Sequence, residues 1–409
     1  MIMALQKEKI LYFLLPLFCF TIPISTFGTT VSLLGIILFW LLTGDYQRKL
    51  GLFWHHPIVR VFFILMLGSF ISLIYTDAES KEAFNGIKDS LRLGFIGVLL
   101  YYFSHERSEG LKKRCIQAFV FAMILTAVLS YLKYFFHLLP YKQGLTDAAV
   151  FKNHIKTSFF MTMAVYFMAN EVRSRPKNLL LWIGIVLLSV NILFLSEGRI
   201  GYIIFGLLAM YYFWDLAKIR GVLVISGALV AILLVSQQFS LKIYDRLEQI
   251  PKDLEMFSVK QDVKTSSIGA RLNFIETSSK LIQEKPWLGW GIGSFKQAYQ
   301  TIALDENLQT NNPHNEYMRI VVEFGILGLV WLGYLIVTVS RYIKKIPQDQ
   351  QFLIRGIWVA FLIGCLANSW LMDFSEGMFI VLILSMFLGK THADNIVDHR
   401  HNIQLAPSA

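Results

Sequence analysis

His314, Glu316, Arg319 and Glu323 stand together in NNPHNEYMRIVVEFG, residues Asn311 to Gly325, at the head of a long apolar run. Asn312 followed by Pro313 predicts a helix start, because Asn caps and Pro is tolerated at the first helical position. His314 then falls in the first turn, where free backbone N–H groups disfavour an imidazolium. A neutral imidazole can accept a proton, which is the task of a general base. Arg319 and Glu323 are four apart and can neutralise each other along one helical face, and Glu316, three before Arg319, can join them. The same residues would also serve a structural role, an interfacial His beside paired charges. Spacing alone leaves both readings open.

Three further stretches hold cations where an anion could be gripped. SEGRIGY (196–202) puts Arg199 in a tight turn between two apolar runs, TSSIGARLNFIETSSKLIQ carries Arg271, and FKNHIKT (151–157) carries Lys152, His154 and Lys156. Arginine can hold a phosphate through two parallel hydrogen bonds, and its charge survives any plausible pH. Interface anchoring, an ordinary helix-surface Arg, and lipid-headgroup contact are the corresponding bland roles. GWGIGS has the look of a phosphate loop, but no predicted strand precedes it and it falls on the side without nucleotides, so it reads as tight turns. Cys19, Cys115 and Cys365 are far apart, with no metal-ligand spacing and no disulfide framework. The sequence predicts no metal site and no cofactor.

The elements that must position these residues are set by composition. Of 409 residues, 55% are hydrophobic and 16% charged, and the apolar residues come in runs of roughly 15–25, enough to cross about 30 Å of hydrocarbon. The expected fold class is therefore an all-α polytopic membrane protein with about 12 transmembrane helices. The expected spans lie near residues 10–27, 29–43, 57–75, 87–104, 112–138, 155–170, 178–195, 199–216, 219–239, 316–340, 353–371 and 374–390. Pro16 and Pro23 suggest a kink in the first. No small-residue cleavage site follows that span, so it does not read as a signal peptide. Alternate connections are basic: DYQRKLG, SHERSEGLKKR, NEVRSRPKN, the AKIR turn and SRYIKKIPQ. With the termini they hold roughly eighteen Lys and Arg against about four in the opposite short loops, which puts both termini in the cytoplasm. The net charge of +10 follows from this topology and does not indicate nucleic acid.

The expected organisation is nine spans over 1–239, a large periplasmic loop at 240–315, three spans over 316–390 and a cytoplasmic tail at 391–409. Within the loop, the TSSIGARL stretch reads as an amphipathic helix capped by Ser266 or Ser267, with Leu272, Ile275, Leu281 and Ile282 on its apolar side. PWLGWGIGSF reads as a Gly-rich turn leading to another short helix. Charges inside spans normally face a cavity or a partner. Lys88, Asp89, Arg92, Lys133, Lys156, Arg199, Arg319, Glu323 and Asp373 all fall at the outer ends of their predicted helices. The expectation is a polar, partly basic cavity opening outward beneath the loop, suited to an anionic lipid headgroup such as a lipid-linked diphosphate.

These segments resemble the O-antigen ligase and O-antigen polymerase superfamily. PHNEYMRIVVEFGILGL is similar to its signature of His-Asn-Glu entering a span, then an acidic residue and Gly-x-x-Gly. SEGRIGY and GARLNFIETSSKLIQEKPWLGWGIGSF resemble its span-start Arg and its loop, the likeness covering roughly residues 180–340. SSIGARL and the number of spans are most like lipopolysaccharide O-antigen ligases. The resemblance implies a GT-C-like, metal-independent, inverting glycosyltransferase of the bacterial inner membrane, its site facing the periplasm. It would move a glycan from undecaprenyl diphosphate to a sugar of lipid A–core. Arg199 and Arg271 match the arginines expected to hold the diphosphate, and His314 the histidine expected to act on the acceptor. Arg92, Lys152, His154, Lys156, Arg319, Glu323 and Asp373 are the expected substrate-binding side chains, Asp373 by a loose match in LMDFSEG.

Three other functions compete. An O-antigen polymerase would share the donor but use a second lipid-linked glycan as acceptor. A protein oligosaccharyltransferase would be expected to have a longer C-terminal region. A flippase or exporter would line both leaflets with its charges and show an internal repeat, whereas the charges here cluster at outer ends.

Overall fold

The computed structural model describes residues 2–104, 108–138, 148–238, 248–253, 255, 267–302 and 310–389. Among them every regular element is helical: α1 (Ile2–Thr21), α2 (Thr26–Leu42), α3 (Tyr46–His55), α4 (Pro57–Ser72), α5 (Ser80–Gly94), α6 (Ile96–Phe103), α7 (Ser108–Phe136), α8 (His154–Ser174), α9 (Leu179–Val190), a π-helical turn (Asn191–Leu195), α10 (Arg199–Gln238), α11 (Ser267–Glu284), α12 (Phe295–Ile302), α13 (Glu316–Ile343), α14 (Gln348–Cys365) and α15 (Phe374–Leu388). The predicted cytoplasmic tail, Ser266 and much of the predicted loop lie outside the described residues.

Helices α7, α10 and α13 are long and apolar enough to cross a membrane, and α2 with α3 would add a fourth if that bent pair is one span. Shorter apolar helices lie at Lys9–Thr21, Pro57–Ser72, Leu179–Leu195 and Phe374–Leu388. This is a multi-pass membrane protein. The predicted turn at AKIR is present: Ala217 and Lys218 leave helical geometry inside α10, Lys218 with φ 52°. A Cβ added at Gly206 would come within 3.8 Å of the Leu229 side chain, so the two halves double back on each other.

Two local expectations are corrected, and the expected bend in the first span takes the form of a turn. DYQRKLG is not a plain connection but opens helix α3. The predicted span at 87–104 is broken at Phe95 into α5 and α6, α5 starting earlier, at Ser80. Pro16 is accommodated within α1, and Pro23 falls in the turn before α2.

The chain divides into two units. The first comprises Met1–Leu34, Lys113–Asn273 and Gly356–Ala367. Its helices are joined by buried polar contacts as well as by apolar packing. Asn191 in the π-helical turn donates to Ser130 on α7 at 2.9 Å, and Tyr212 on α10 donates to the Ala169 carbonyl on α8 at 2.8 Å. Phe119 on α7 packs edge-on against Phe160 and Phe167 of α8.

The second unit comprises Gly35–Lys112, Phe274–Arg355 and Asn368–Ala409. Here α13 packs on α4, with the Trp331 indole donating to the Val61 carbonyl at 2.8 Å. Helix α15, almost wholly buried, packs on α6, and Ser385 donates to the Ile96 carbonyl at 3.3 Å.

The Gly-rich turn at PWLGWGIGS is present as predicted, and its purpose is structural. Gly325 breaks α13 with φ 59°, a conformation open to glycine at little steric cost. The break frees the Val322 and Glu323 carbonyls and the Ile326 amide from the ordinary helical ladder. Trp290 N donates to Val322 O at 2.9 Å, Gly291 N to Glu323 O at 2.9 Å, and Ile326 N to Pro286 O at 2.9 Å. The turn thus supplies the partners that a broken helix must otherwise find in lipid. Its other side is tied to the end of α4: Ile292 N donates to Ser72 Oγ at 3.1 Å, and Thr76 Oγ1 to Ile292 O at 2.9 Å.

Candidate active site

In the first unit, α10 begins with Arg199 and presses against the start of α8. A Cβ at Gly198 would stand 2.6 Å from Ser158 Oγ and 3.1 Å from the His154 carbonyl. The two glycines of SEGRIGY therefore have a packing reason, since Gly201 also faces Ser158. Asn153 caps α8 by accepting from Lys156 N at 3.0 Å. Arg199 and the Lys152–His154–Lys156 entrance are thus neighbours, as a phosphate site at a helix N-terminus requires.

Arg199 is mostly buried and held on two sides. Its Nη1 donates to Asp253 at 2.9 Å and its Nη2 to Gln249 at 2.9 Å. Neither partner was foreseen, because both sit in a polar segment without a recognisable pattern. Arg271, on α11, has the opposite situation. It is half-buried within the field of Arg199, and no hydrogen-bond or ion-pair acceptor for it is found among the described residues. Burial first, and the like charge of Arg199 second, pull its guanidinium below the ordinary arginine value. A half-buried cation beside another cation is an unfavourable arrangement that an anion would relieve.

The amphipathic helix expected around Arg271 is present as α11, with a shifted face. Phe274, Thr277, Ser278 and Leu281 are buried, whereas Leu272, Ile275 and Ile282 are only half-buried.

In the second unit, His314 is not in the first helical turn. Asn315 is the N-cap of α13 and accepts from Met318 N at 3.1 Å, so the helix starts at Glu316. Asn312 is used differently: its Oδ1 accepts from His314 N at 2.8 Å, an Asx turn that outcompetes helix initiation at Pro313. His314 consequently adopts φ 51°, an uncommon conformation for a residue other than glycine. Its ring lies 5.9 Å from that of Phe274, and its Nδ1 is 2.9 Å from Asn368 Oδ1.

The charges after His314 are brought together, mostly with one another. Arg319 pairs with Glu323 at 3.4 Å, and Arg92 pairs with Asp89. Asp89, Glu316, Glu323 and Asp373 all lie in the field of Arg319, and Arg92 lies in that of Asp373. Carboxylates therefore outnumber guanidiniums in this group, so the expected basic character belongs to the first unit's cluster and not to this one. Glu316 lies in the field of Arg319, as expected, and also accepts from Leu371 N at 2.7 Å and Met372 N at 3.1 Å, while Arg92 donates to the Met372 carbonyl at 3.0 Å. These contacts fasten the turn between α14 and α15. Asn368 and Ser369 in that turn were missed by sequence reasoning. The signal present was a polar pair closing an apolar run.

Among the described residues no group of His, Cys, Asp and Glu has the arrangement of a metal site. Residues 184–333 match the model of a family described as O-antigen ligase, a match that takes in Arg199, Arg271 and His314 and supports the O-antigen ligase and polymerase superfamily. A search of curated proteins finds no match to the chain.

Proposed function

We propose that the chain is an O-antigen ligase: a metal-independent, inverting glycosyltransferase that moves a glycan from undecaprenyl diphosphate to a sugar hydroxyl of lipid A–core. The observation that carries this reading is Arg271, a half-buried cation beside Arg199 with no acceptor of its own among the described residues. A lipid-linked diphosphate would supply that acceptor.

In the proposed reaction the acceptor oxygen forms a bond to the anomeric carbon as the bond from that carbon to the diphosphate oxygen breaks. The bonding pair leaves with the diphosphate. Arg199 and Arg271 offset the charge that builds there, and fixed donors of this kind are each worth about 10²–10³ in rate. Asp253 and Gln249 orient Arg199, and Lys152 and Lys156 extend the positive field, with His154 between them as a further substrate contact. His314 takes the proton of the acceptor hydroxyl, the weaker nucleophile and hence the partner in need of help. Arg92 also fastens the Met372 carbonyl in the turn that faces His314, and with Arg319, Glu323 and Asp373 it is proposed to bind substrate. The proposed setting is the bacterial inner membrane, with both termini cytoplasmic and the site facing the periplasm.

Lipopolysaccharide gel profiles of a deletion strain test the reading. A ligase-deficient strain shows bare lipid A–core and keeps long lipid-linked polymer, and the wild-type gene restores the ladder. Single repeat units on the core in the deletion strain would indicate a polymerase instead.

A further inference from the structure

We infer that Asn368 is a positioning residue that selects the tautomer of His314, leaving Nε2 as the bare, proton-accepting nitrogen. The inference rests on the proposed role of His314 and adds to it the atom that does the work. Asn368 turns its amide oxygen to His314 Nδ1 at 2.9 Å. A carbonyl oxygen can only accept, so Nδ1 must carry the hydrogen and Nε2 the lone pair.

The surroundings are built to hold this contact. Asn312 Oδ1 accepts both from His314 N at 2.8 Å and from the buried Ser369 Oγ at 2.6 Å. One side chain thus ties the backbone of the histidine to the residue next to Asn368. Glu316 grips the Leu371 and Met372 amides from the other side of the same turn. The positive φ of His314 aims the ring at Asn368 and is kept by these bonds. Other groups facing this segment are Phe274, whose ring tilts over the imidazole, and the Arg319 and Asp373 charges that surround Glu316.

Histidine labelled with ¹⁵N in the full-length protein, purified in detergent, reads the tautomer directly. The chain has nine histidines, and His314→Gln identifies the resonance. The wild type should show protonated Nδ1 and bare Nε2, and Asn368→Leu should shift the ring toward protonated Nε2. Asn368→Leu should also lower kcat for glycan transfer by about 10²-fold with little change in acceptor KM. Asn368→Asp keeps the acceptor oxygen and should restore the tautomer. Its carboxylate favours the imidazolium, so the acidic limb of the pH–rate profile should move to higher pH.

Protonated Nε2 in the wild type, as a turned-over amide would give, overturns the inference. So does an unchanged tautomer in Asn368→Leu or, should that variant not fold, an unshifted acidic limb in Asn368→Asp. A wild-type protein with the expected tautomer that transfers no glycan overturns the proposed function and not the hold of Asn368 on the ring.

Discussion

Arg271 lies in the field of Arg199, and only Arg199 has a carboxylate, Asp253 at 2.9 Å, among the described residues. The pair is asymmetric among the described residues: one cation has a carboxylate and the other has none. Removing Arg271 removes an unfavourable interaction from the unliganded protein. Arg271→Gln should therefore leave the melting temperature in detergent unchanged or raised while transfer falls by about 10²–10³. Arg271→Lys should recover only part of the rate, because an ammonium is a point charge without the two-pronged grip. A large loss of Tm in Arg271→Gln would show that the side chain has a structural partner.

Arg319 and Glu323 behave in the opposite way. Both are deep in the second unit, and Arg319 is also the cation shared by Asp89, Glu316 and Asp373, so losing either member of the pair unbalances a buried charge cluster. Arg319→Met or Glu323→Leu singly should cost about 3–5 kcal/mol, and the double substitution less than the sum of the two, by denaturation in mixed micelles. Additive losses would contradict the pairing.

Gly325 is the hinge on which the Gly-rich turn is sewn into α13. A Cβ there would stand 2.5 Å from the Trp287 carbonyl group while φ stays at 59°. Gly325→Ala should destabilise by about 1–3 kcal/mol or more. Gly68→Ala, whose Cβ meets nothing within 4 Å, serves as the neutral control in the same thermal melts.

The charge of the leaving diphosphate is assigned to guanidiniums. Transfer by the purified protein should persist in a strong chelator. Loss of activity on chelation, restored by a divalent cation, would move that role to a metal.

What the sequence made legible was the part of the fold that local pattern dictates. Apolar runs located helices, AKIR located the break in α10, and the amphipathic stretch located α11. The glycines of PWLGWGIGS read correctly as turns, yet nothing local could say that their amides complete α13, because the partners are some thirty residues away in sequence, at Val322 and Glu323. The break at Phe95 was hidden inside one hydrophobic run. At the candidate site, residue types announced Arg199, Arg271 and His314, but not how each is held. Two asparagines compete for the helix start, and Asn315 prevails once Asn312 is engaged by Ser369, a contact made across 57 residues. The sharing of Arg319 among several carboxylates is visible only after folding, because Asp89 and Asp373 come from other parts of the chain.

The most direct test is single-turnover transfer by purified protein in detergent, where no gradient exists, with a glycan on undecaprenyl diphosphate as donor and lipid A–core as acceptor. Wild type should yield the glycan joined to lipid A–core with inverted anomeric configuration. His314→Ala, equally folded, should be at least about 10²-fold slower. Equal rates for the two proteins, or no transfer by wild type, would contradict the account.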